Sequence, residues 1–168
     1  MKVSDFLERV SKGMSLQEFV AAYPHPVLVE VEATPQGSGP NAAAATELLD
    51  SARIRKESLT SAQAQAYTLD LAAGPVLVGR AEHCQLEIDH GSISKEHARI
   101  SRHADGHLEL EDLGSTNGTF HNYKRLEPNH PVKVELDDAI CFGRGRGLQF
   151  LDAPGFYEYL KILQRFAL

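Results

Sequence analysis

The chain has 168 residues, 42% of them hydrophobic and 24% charged, a composition typical of a globular protein with a full core. Its formal net charge of -6 argues against nucleic acid as the main partner, since phosphate backbones select basic surfaces. No apolar run approaches the roughly 20 residues of a membrane span, so we expect no membrane partner and a cytoplasmic location.

Two short helices are predicted at the N-terminus. Ser4 is placed to cap the first helix, which an apolar stripe supports and Gly13 ends. Ser15 and Glu18 have the spacing of a capping box at the start of the second helix, and Pro24 ends it. The second helix has no Arg or Lys to contact bases, so we predict docking against the main domain rather than DNA recognition.

The next segment changes composition twice. Residues 27–31 are rich in β-branched side chains and predict a short strand, whereas residues 33–45 predict a Gly/Pro/Ala linker. Thr46 is a candidate cap for a further helix, and the stretch up to Gln65 fits either a loop or a short helix. We therefore assign residues 1–65 to an N-terminal helical extension.

Apolar and polar residues alternate with a period of two from Tyr67 onwards, which predicts a series of short strands separated by Gly, Asp and Asn turns. The predicted strands cover residues 67–71, 76–78, 86–88, 98–101, 108–111, 119–121, 132–136, 139–142 and 148–151. This series indicates a mainly β protein with a sandwich over residues 66–152. Residues 153–168 then show the spacing of an amphipathic helix.

Three polar clusters lie at strand ends or turns: Gly79-Arg80, Ser94-Lys95-Glu96-His97, and the run from Ser115 to Thr119. An arginine offers a planar fork that matches a phosphate, and hydroxyl and ammonium groups add donors. Each cluster alone has an ordinary explanation, such as a surface ion pair or a hairpin turn. Their order and spacing together favour an anion-binding site.

The combination resembles the forkhead-associated (FHA) domain family. The family pattern is Gly-Arg, then Ser-x-x-His, then an acidic-led Ser-Thr-Asn-Gly-Thr and a later Asn, which is Asn122 here. The resemblance extends over about residues 66–152. It implies an eleven-stranded β-sandwich, here with short helical N- and C-terminal extensions, that binds phosphothreonine peptides on loops at one end.

The resemblance also assigns roles to individual residues. The implied phosphopeptide-binding residues are Arg80, Ser94, Lys95, Thr116 and Asn117, and the implied supports of the binding loops are Gly79, His97 and Gly118. Lys95 stands where many family members have arginine, so it keeps the charge but lacks the fork. Ser92 is a further candidate contact. The loop between Asn122 and Pro131, which holds Tyr123, Lys124 and Arg125, is implied to read the third residue after the phosphothreonine and to tolerate acidic side chains there.

Other chemistry fits the sequence poorly. His83, Cys84, His90 and His97 lack a repeated metal-ligand spacing, and Ser94 with His97 lacks a nucleophile elbow. Cys84 and Cys141 do not form a disulfide framework, and residues 143–147 (GRGRG) predict a glycine-rich hairpin rather than an RNA-binding repeat. We therefore predict a protein that is not an enzyme and needs no metal or cofactor.

The leading hypothesis is a non-catalytic adaptor that recognises phosphothreonine in a protein partner within a bacterial-type Ser/Thr kinase pathway. The partner would be the kinase or its substrate. In one alternative, a phosphorylated Thr34 or Thr46 of the chain itself occupies the pocket. In the other, the protein is a phosphate-independent scaffold that uses its helical ends.

Overall fold

The computed structural model describes residues 1–31, 64–145 and 147–166. The helices of this part of the chain are α1 (Val3–Ser11), α2 (Leu16–Ala22) and α3 (Ala153–Phe166). Its strands are β1 (Val27–Val31), β2 (Ala66–Thr68), β3 (Val76–Gly79), β4 (Leu86–Glu87), β5 (Ala98–Arg102), β6 (Leu108–Asp112), β7 (Thr119–His121), β8 (Lys124–Arg125), β9 (Val132–Val134), β10 (Ala139–Phe142) and β11 (Gly147–Leu151).

The strands form a sandwich of two sheets, which confirms the predicted mainly β class. One sheet has the order β2-β1-β11-β10-β7-β8 and the other has the order β4-β3-β5-β6-β9. Neighbouring strands are antiparallel except for the parallel pair β3 and β4. Side chains from alternating positions of both sheets, including Ile100, Leu110 and Ile140, fill the space between them. The loops that carry the polar clusters are therefore attached to a buried apolar core.

Strand β1 lies inside the first sheet, between β2 and β11. Leu28 points into the core between the sheets, whereas Val27 and Val29 face the opposite side of the sheet. The sequence analysis placed this strand in the N-terminal extension, and the structure differs because its partner Leu151 is far away along the chain. A local pattern of β-branched residues predicts a strand but does not identify its neighbours.

The three helices cover the outer face of this sheet, as predicted for the terminal helices. Phe6 of α1 packs edge-on against Phe156 of α3 with ring centroids 5.0 Å apart, and Phe19 of α2 lies near the same ring. Aromatic pairs of this kind contribute about 0.5–1.5 kcal/mol beyond the area they bury. Helices and sandwich therefore share a second core, distinct from the one between the sheets.

The helix caps agree with the sequence in one case and differ in the other. Ser15 accepts a hydrogen bond from the Glu18 backbone N–H while the Glu18 carboxylate accepts one from the Ser15 N–H, which confirms the capping box. The prediction that Ser4 caps α1 is wrong, because the helix begins at Val3 and the Asp5 carboxylate accepts from the Lys2 N–H.

Some expectations concern residues outside the described part of the chain. They are the linker at 33–45, the helix from Thr46 and the candidate phosphorylation sites Thr34 and Thr46. Within the described part, both cysteines are free and buried, and burial raises the pKa of each thiol. None of the described helices is both long enough and apolar enough to cross a membrane.

Candidate functional site

Three loops meet at one end of the sandwich and bring the polar clusters together. The loop after β3 carries Arg80, the loop before β5 carries Ser94 and Lys95, and the β6–β7 loop carries Thr116 and Asn117. The backbone N–H of Arg80 donates to the Ser94 carbonyl at 2.9 Å, and the Thr116 N–H donates to the Ser94 hydroxyl at 3.1 Å. Ser94 therefore connects all three loops.

Arg80 presents a free charged group at this end. Its side chain is exposed, and its Nε–H donates to the Ile93 carbonyl at 3.3 Å. This hydrogen bond orients the guanidinium through Nε. Within the described residues, neither its terminal nitrogens nor the ammonium of exposed Lys95 has a carboxylate partner. By contrast, Arg99 pairs with Glu111 elsewhere on the sandwich. Two cations on adjoining loops, without carboxylate partners in the described part of the chain, are suited to an external anion.

Hydroxyl groups complete the donor set. Ser94 uses its Oγ lone pair for the Thr116 amide, so its own hydroxyl proton remains available. Thr116 is exposed, and its side-chain hydroxyl makes no hydrogen bond to the described residues. An oxyanion between Arg80, Lys95 and these hydroxyls would receive donors from all three loops.

Asn117 is held in a fixed orientation beside the anion site. One hydrogen of its Nδ2 donates to the Ser92 carbonyl at 2.8 Å. Its Oδ1 and its second Nδ2 hydrogen make no bond to the described residues, so the amide keeps one acceptor and one donor. This pair matches the N–H and C=O groups of an extended peptide.

Ser92 supports this arrangement from within the protein. Its hydroxyl accepts from the Arg144 backbone N–H at 2.9 Å and lies 2.8 Å from Nδ1 of His90. The sequence analysis named Ser92 as a further ligand contact, but the structure shows its hydroxyl already occupied. The same contacts bring the β10–β11 hairpin, predicted from the GRGRG run, against the site.

His97 is fully buried behind the loops. Its Nδ1 accepts from the Ser94 backbone N–H, and its Nε2 lies 3.0 Å from the Gly118 carbonyl oxygen. A carbonyl only accepts and an amide N–H only donates, so the ring is neutral with its proton on Nε2. Burial lowers the pKa of His97, which favours the same neutral form.

Asp112 organises the β6–β7 loop. One carboxylate oxygen accepts from the N–H groups of Gly114 and Ser115, and the other accepts from the hydroxyls of Ser115 and Thr119 at 2.6 Å each. Burial alone would raise the pKa of this carboxyl, but the hydrogen bonds outweigh it and the pKa is lowered. The sequence analysis noted only that an acidic residue precedes the Ser115–Thr119 run. The spacing of Asp112 to Ser115 and Thr119 could have identified it as the residue that organises the loop.

Two glycines allow close approaches that a side chain would block. A Cβ at Gly79 would lie 2.1 Å from the Lys95 carbonyl oxygen, a distance that backbone atoms cannot accommodate. Gly118 has a φ of +85°, and a Cβ there would lie 2.6 Å from Nε of Arg125. The guanidinium of Arg125 is therefore next to the turn that carries Asn117.

Asn122 anchors the loop that follows β7. Its side chain donates to Asp138 at 2.8 Å and accepts from the Ala139 backbone N–H at 2.9 Å. The residue itself adopts a left-handed backbone with φ of 47°, as does Tyr123 with φ of 66°. Asn tolerates this region better than most residues, so the position suits the sharp turn into β8.

Comparisons with known proteins agree with this geometry. A family model described as FHA domain matches residues 76–143, which contain every predicted site residue. Residues 76–143 thus form an FHA domain. Its fold is similar to the FHA domain of the CT664 protein from Chlamydia trachomatis, with a TM-score of 0.50 and 20% identity over 76% of this chain and 97% of that one. An Arabidopsis thaliana FHA domain gives a TM-score of 0.50 and 22% identity, covering 76% of this chain and 86% of the other.

Among curated proteins, the human nuclear inhibitor of protein phosphatase 1 is 43% identical over 63 residues. The aligned region covers 36% of this chain but only 17% of the human protein. FHA domains are binding modules, and the similarity is confined to this module. Since the relatives include a eukaryotic nuclear protein, the bacterial-type pathway and the cytoplasmic location stay predictions.

Proposed function

We propose that this FHA domain binds a phosphothreonine-containing segment of a partner protein, as a non-catalytic adaptor in Ser/Thr kinase signalling. The observation that carries the proposal is the pair of exposed cations, Arg80 and Lys95, without carboxylate partners among the described residues. They form a local group of positive charge in a chain of net charge -6, and both come from loops that meet at Ser94. A local anion site suits a single phosphorylated side chain, not a nucleic acid.

The phosphate group would lie between the three loops. Its oxygens would accept from the terminal nitrogens of Arg80, and the ammonium of Lys95 would add a second positive charge. The hydroxyls of Ser94 and Thr116 would donate to the remaining oxygens. Hydrogen bonds that involve ionised groups are roughly twice as strong as neutral ones, so most of the affinity should come from the phosphate.

The peptide around the phosphothreonine would be held by its backbone. Asn117 keeps one acceptor and one donor, which fits the N–H and C=O groups of an extended chain. Such contacts do not depend on the side chains of the peptide, so they add affinity without selecting a particular peptide sequence.

Preference for threonine over serine needs a second effect. Burial of the γ-methyl group contributes about 0.8 kcal/mol, roughly a fourfold difference in affinity. A β-branched residue also has fewer χ1 rotamers to lose on binding. A preference for phosphothreonine over phosphoserine larger than fourfold would therefore come from the restricted χ1 rotamer of phosphothreonine.

The test compares matched peptides by fluorescence anisotropy. A library carrying phosphothreonine, phosphoserine or unmodified threonine is titrated with the full chain. We expect binding to depend on the phosphate, and Arg80→Ala to weaken it by about 2–5 kcal/mol, the range for truncating one partner of a hydrogen-bonded charge pair. Arg102→Ala is the matched control, because Arg102 is also exposed but donates to the Gly106 carbonyl at the end of β5.

Two outcomes would contradict the proposal. Equal, weak binding of phosphorylated and unmodified peptides would exclude phosphate recognition by this chain. A loss below about 0.5 kcal/mol for Arg80→Ala would place the phosphate elsewhere, since a phosphate contact to a charged group is worth more than that.

The two alternatives differ in what supports them. The scaffold hypothesis needs the apolar faces of the helical ends, yet Val10, Phe19 and Leu163 are buried in the core that the helices share with the sheet. The self-regulated module depends on Thr34 and Thr46, outside the described residues, and stays a prediction. Kinase treatment followed by mass spectrometry tests it, and unmodified Thr34 and Thr46 would exclude it.

A further inference from the structure

The turn that connects β5 and β6 holds a second group of polar side chains, away from the three loops. It consists of residues 103–107, which we call the distal turn. Strand β5 begins directly after His97 at the binding end and runs through five residues before the turn. At about 3.3 Å per residue, the distal turn lies roughly 16 Å from the phosphate site.

Two histidines and an aspartate converge in the distal turn. Nδ1 of His103 lies 3.2 Å from Oδ1 of Asp105, and Nδ1 of His107 contacts the same oxygen. The two imidazole rings are stacked, with centroids 4.6 Å apart and planes 19° from parallel. One possible ligand atom from each of the three residues lies within 4.8 Å of the other two. Both imidazoles thus direct the same type of nitrogen at a shared carboxylate oxygen.

Glu109 adds a second, independent feature. Its Oε1 lies 3.4 Å from Nε2 of His107, the ring nitrogen that faces away from Asp105. Histidines that bind a metal commonly donate their other ring N–H to a carboxylate, which fixes the tautomer and orients the ring. His107 therefore lies between two carboxylates, one on each ring nitrogen.

The nearby cations do not occupy this cluster. Lys133 of the neighbouring strand pairs with Glu135 at 2.9 Å, and Arg102 donates to the Gly106 carbonyl at 3.2 Å. Lys133 also attracts the Asp105 carboxylate electrostatically, but its ion pair is with Glu135. A positive ion at the shared position would be attracted by both carboxylates.

We propose that the distal turn binds a divalent transition metal ion, with His103, Asp105 and His107 as ligands and Glu109 supporting His107. Two imidazole nitrogens and one carboxylate suit zinc and its neighbours rather than calcium or magnesium, which prefer oxygen ligands. Bond lengths of about 2.0–2.2 Å require only small movements of these partly exposed side chains. Three protein ligands leave a fourth position for water or a partner's side chain.

The test uses the full chain without a histidine tag, titrated with zinc chloride by isothermal calorimetry. We expect one ion per chain, and at least about tenfold weaker binding for His103→Ala and for His107→Ala. Asp105→Asn should weaken binding as well, although it keeps an oxygen to accept from the His107 backbone N–H at 3.2 Å. Circular dichroism of each variant verifies that the sandwich is folded.

His83→Ala is the matched control. His83 is exposed and lies 2.8 Å from a Glu96 carboxylate oxygen, so it offers an imidazole–carboxylate pair without a second imidazole. Its removal should leave the zinc affinity unchanged. A loss of affinity with His83→Ala but not with His107→Ala would overturn the assignment, as would the lack of a stoichiometric zinc complex.

Glu109→Gln tests the supporting role. The amide keeps the shape of the side chain but removes the charge, so we expect the stoichiometry to stay at one and the affinity to fall roughly 10- to 100-fold. Cobalt supplies an independent readout, because its visible spectrum reports the ligand geometry. Unchanged zinc affinity and an unchanged cobalt spectrum in Glu109→Gln would overturn the role of Glu109.

Discussion

The Nε2 atom of His97 lies 3.0 Å from the carbonyl oxygen of Gly118, and this hydrogen bond joins two of the three loops of the proposed phosphate site. The other ring nitrogen accepts from the Ser94 backbone N–H. One buried ring therefore sets the distance between the Ser94 loop and the turn that carries Asn117.

His97→Ala should destabilise the protein and weaken phosphopeptide binding together. The substitution leaves the Ser94 backbone N–H without its partner, which costs about 1–3 kcal/mol. It also removes one of two hydrogen bonds to the Gly118 carbonyl, which still accepts from the Gly143 N–H at 2.8 Å. Urea unfolding measures the loss. His130→Ala is the control, since His130 is exposed and its Nδ1 lies 2.9 Å from the nearby Pro128 carbonyl oxygen. Similar free energies of unfolding for the two variants would contradict the bracing role.

The same histidine should make stability depend on pH. Because burial lowers the pKa of His97 below its ordinary 6.5, the unfolded chain binds its proton more readily than the folded protein does. The contribution of neutral His97 is complete above about pH 6.5 and is lost as the pH falls towards the lowered pKa. The wild type should thus lose more stability than His97→Asn between about pH 7.5 and about pH 5.5. Parallel pH profiles would refute this.

Gly79→Ala should be costly although it adds a single methyl group. Its Cβ would lie 2.1 Å from the Lys95 carbonyl oxygen, so the loop before β5 must shift. Overpacking of this kind costs about 1–3 kcal/mol, and the shift should also lower phosphopeptide affinity. Gly91→Ala is the matched control, because a Cβ at Gly91 meets nothing within 4 Å. Thermal unfolding of both variants measures the difference, and equal melting temperatures would contradict it.

Asp112→Asn should loosen the β6–β7 loop. An amide nitrogen cannot accept, so at least two of the four hydrogen bonds to the carboxylate are lost, and bonds to charged groups contribute about 1.5–3 kcal/mol each. We expect a loss of at least about 2 kcal/mol in urea unfolding. Asp89→Asn, at an exposed position, should be nearly neutral.

The lowered pKa of Asp112 gives this prediction a pH signature. The contribution of the ionised carboxylate is present above the ordinary value of 3.8 and is lost as the pH falls through the lowered pKa. Acid unfolding of the wild type and Asp112→Asn should therefore converge at low pH. A constant difference between the two proteins at all pH values would contradict the assignment.

Arg125 should influence the choice of ligand. Its guanidinium lies against Gly118, beside the turn that holds Asn117, so we expect it to attract an acidic side chain of a bound peptide. Exposed ion pairs contribute about 0.2–1 kcal/mol, so Arg125→Ala should reduce a preference for Asp or Glu three residues after the phosphothreonine by no more than about fivefold. Lys124→Ala serves as the comparison. Peptide arrays measure the preference, and an unchanged ranking would exclude Arg125.

The sequence predicted the sandwich and most of its strands because alternation and turn residues are local signals. It did not predict β8, because Lys124 and Arg125 are both charged and show no apolar alternation. It also misplaced β1, whose partners Ala66 and Leu151 are distant in the chain. Pairing of distant strands is decided by the whole core, not by the pattern within one segment.

At the candidate site, too, local features could be predicted from the sequence and long-range contacts could not. Residue types and spacing indicated Arg80 and Ser94 as binding residues. They did not indicate that the Ser92 hydroxyl contacts the Arg144 backbone N–H and the His90 ring. Likewise, the capping box at Ser15 was visible in four consecutive residues. The start of α1 at Val3 depends in addition on Lys2, which forms an isolated β-bridge with Gln65, a residue distant in the chain.

The central position of β1 has a consequence for shortened versions of the protein. A fragment cut to residues 76–143 would lack β1, β2 and β11, and β10 would become an open edge that can pair with other chains. Without Leu28 and Phe150, the apolar surface between the sheets would also be uncovered on one side. Such a fragment should aggregate even though it contains every residue of the proposed phosphate site, so we expect binding to require the terminal strands as well as the loops.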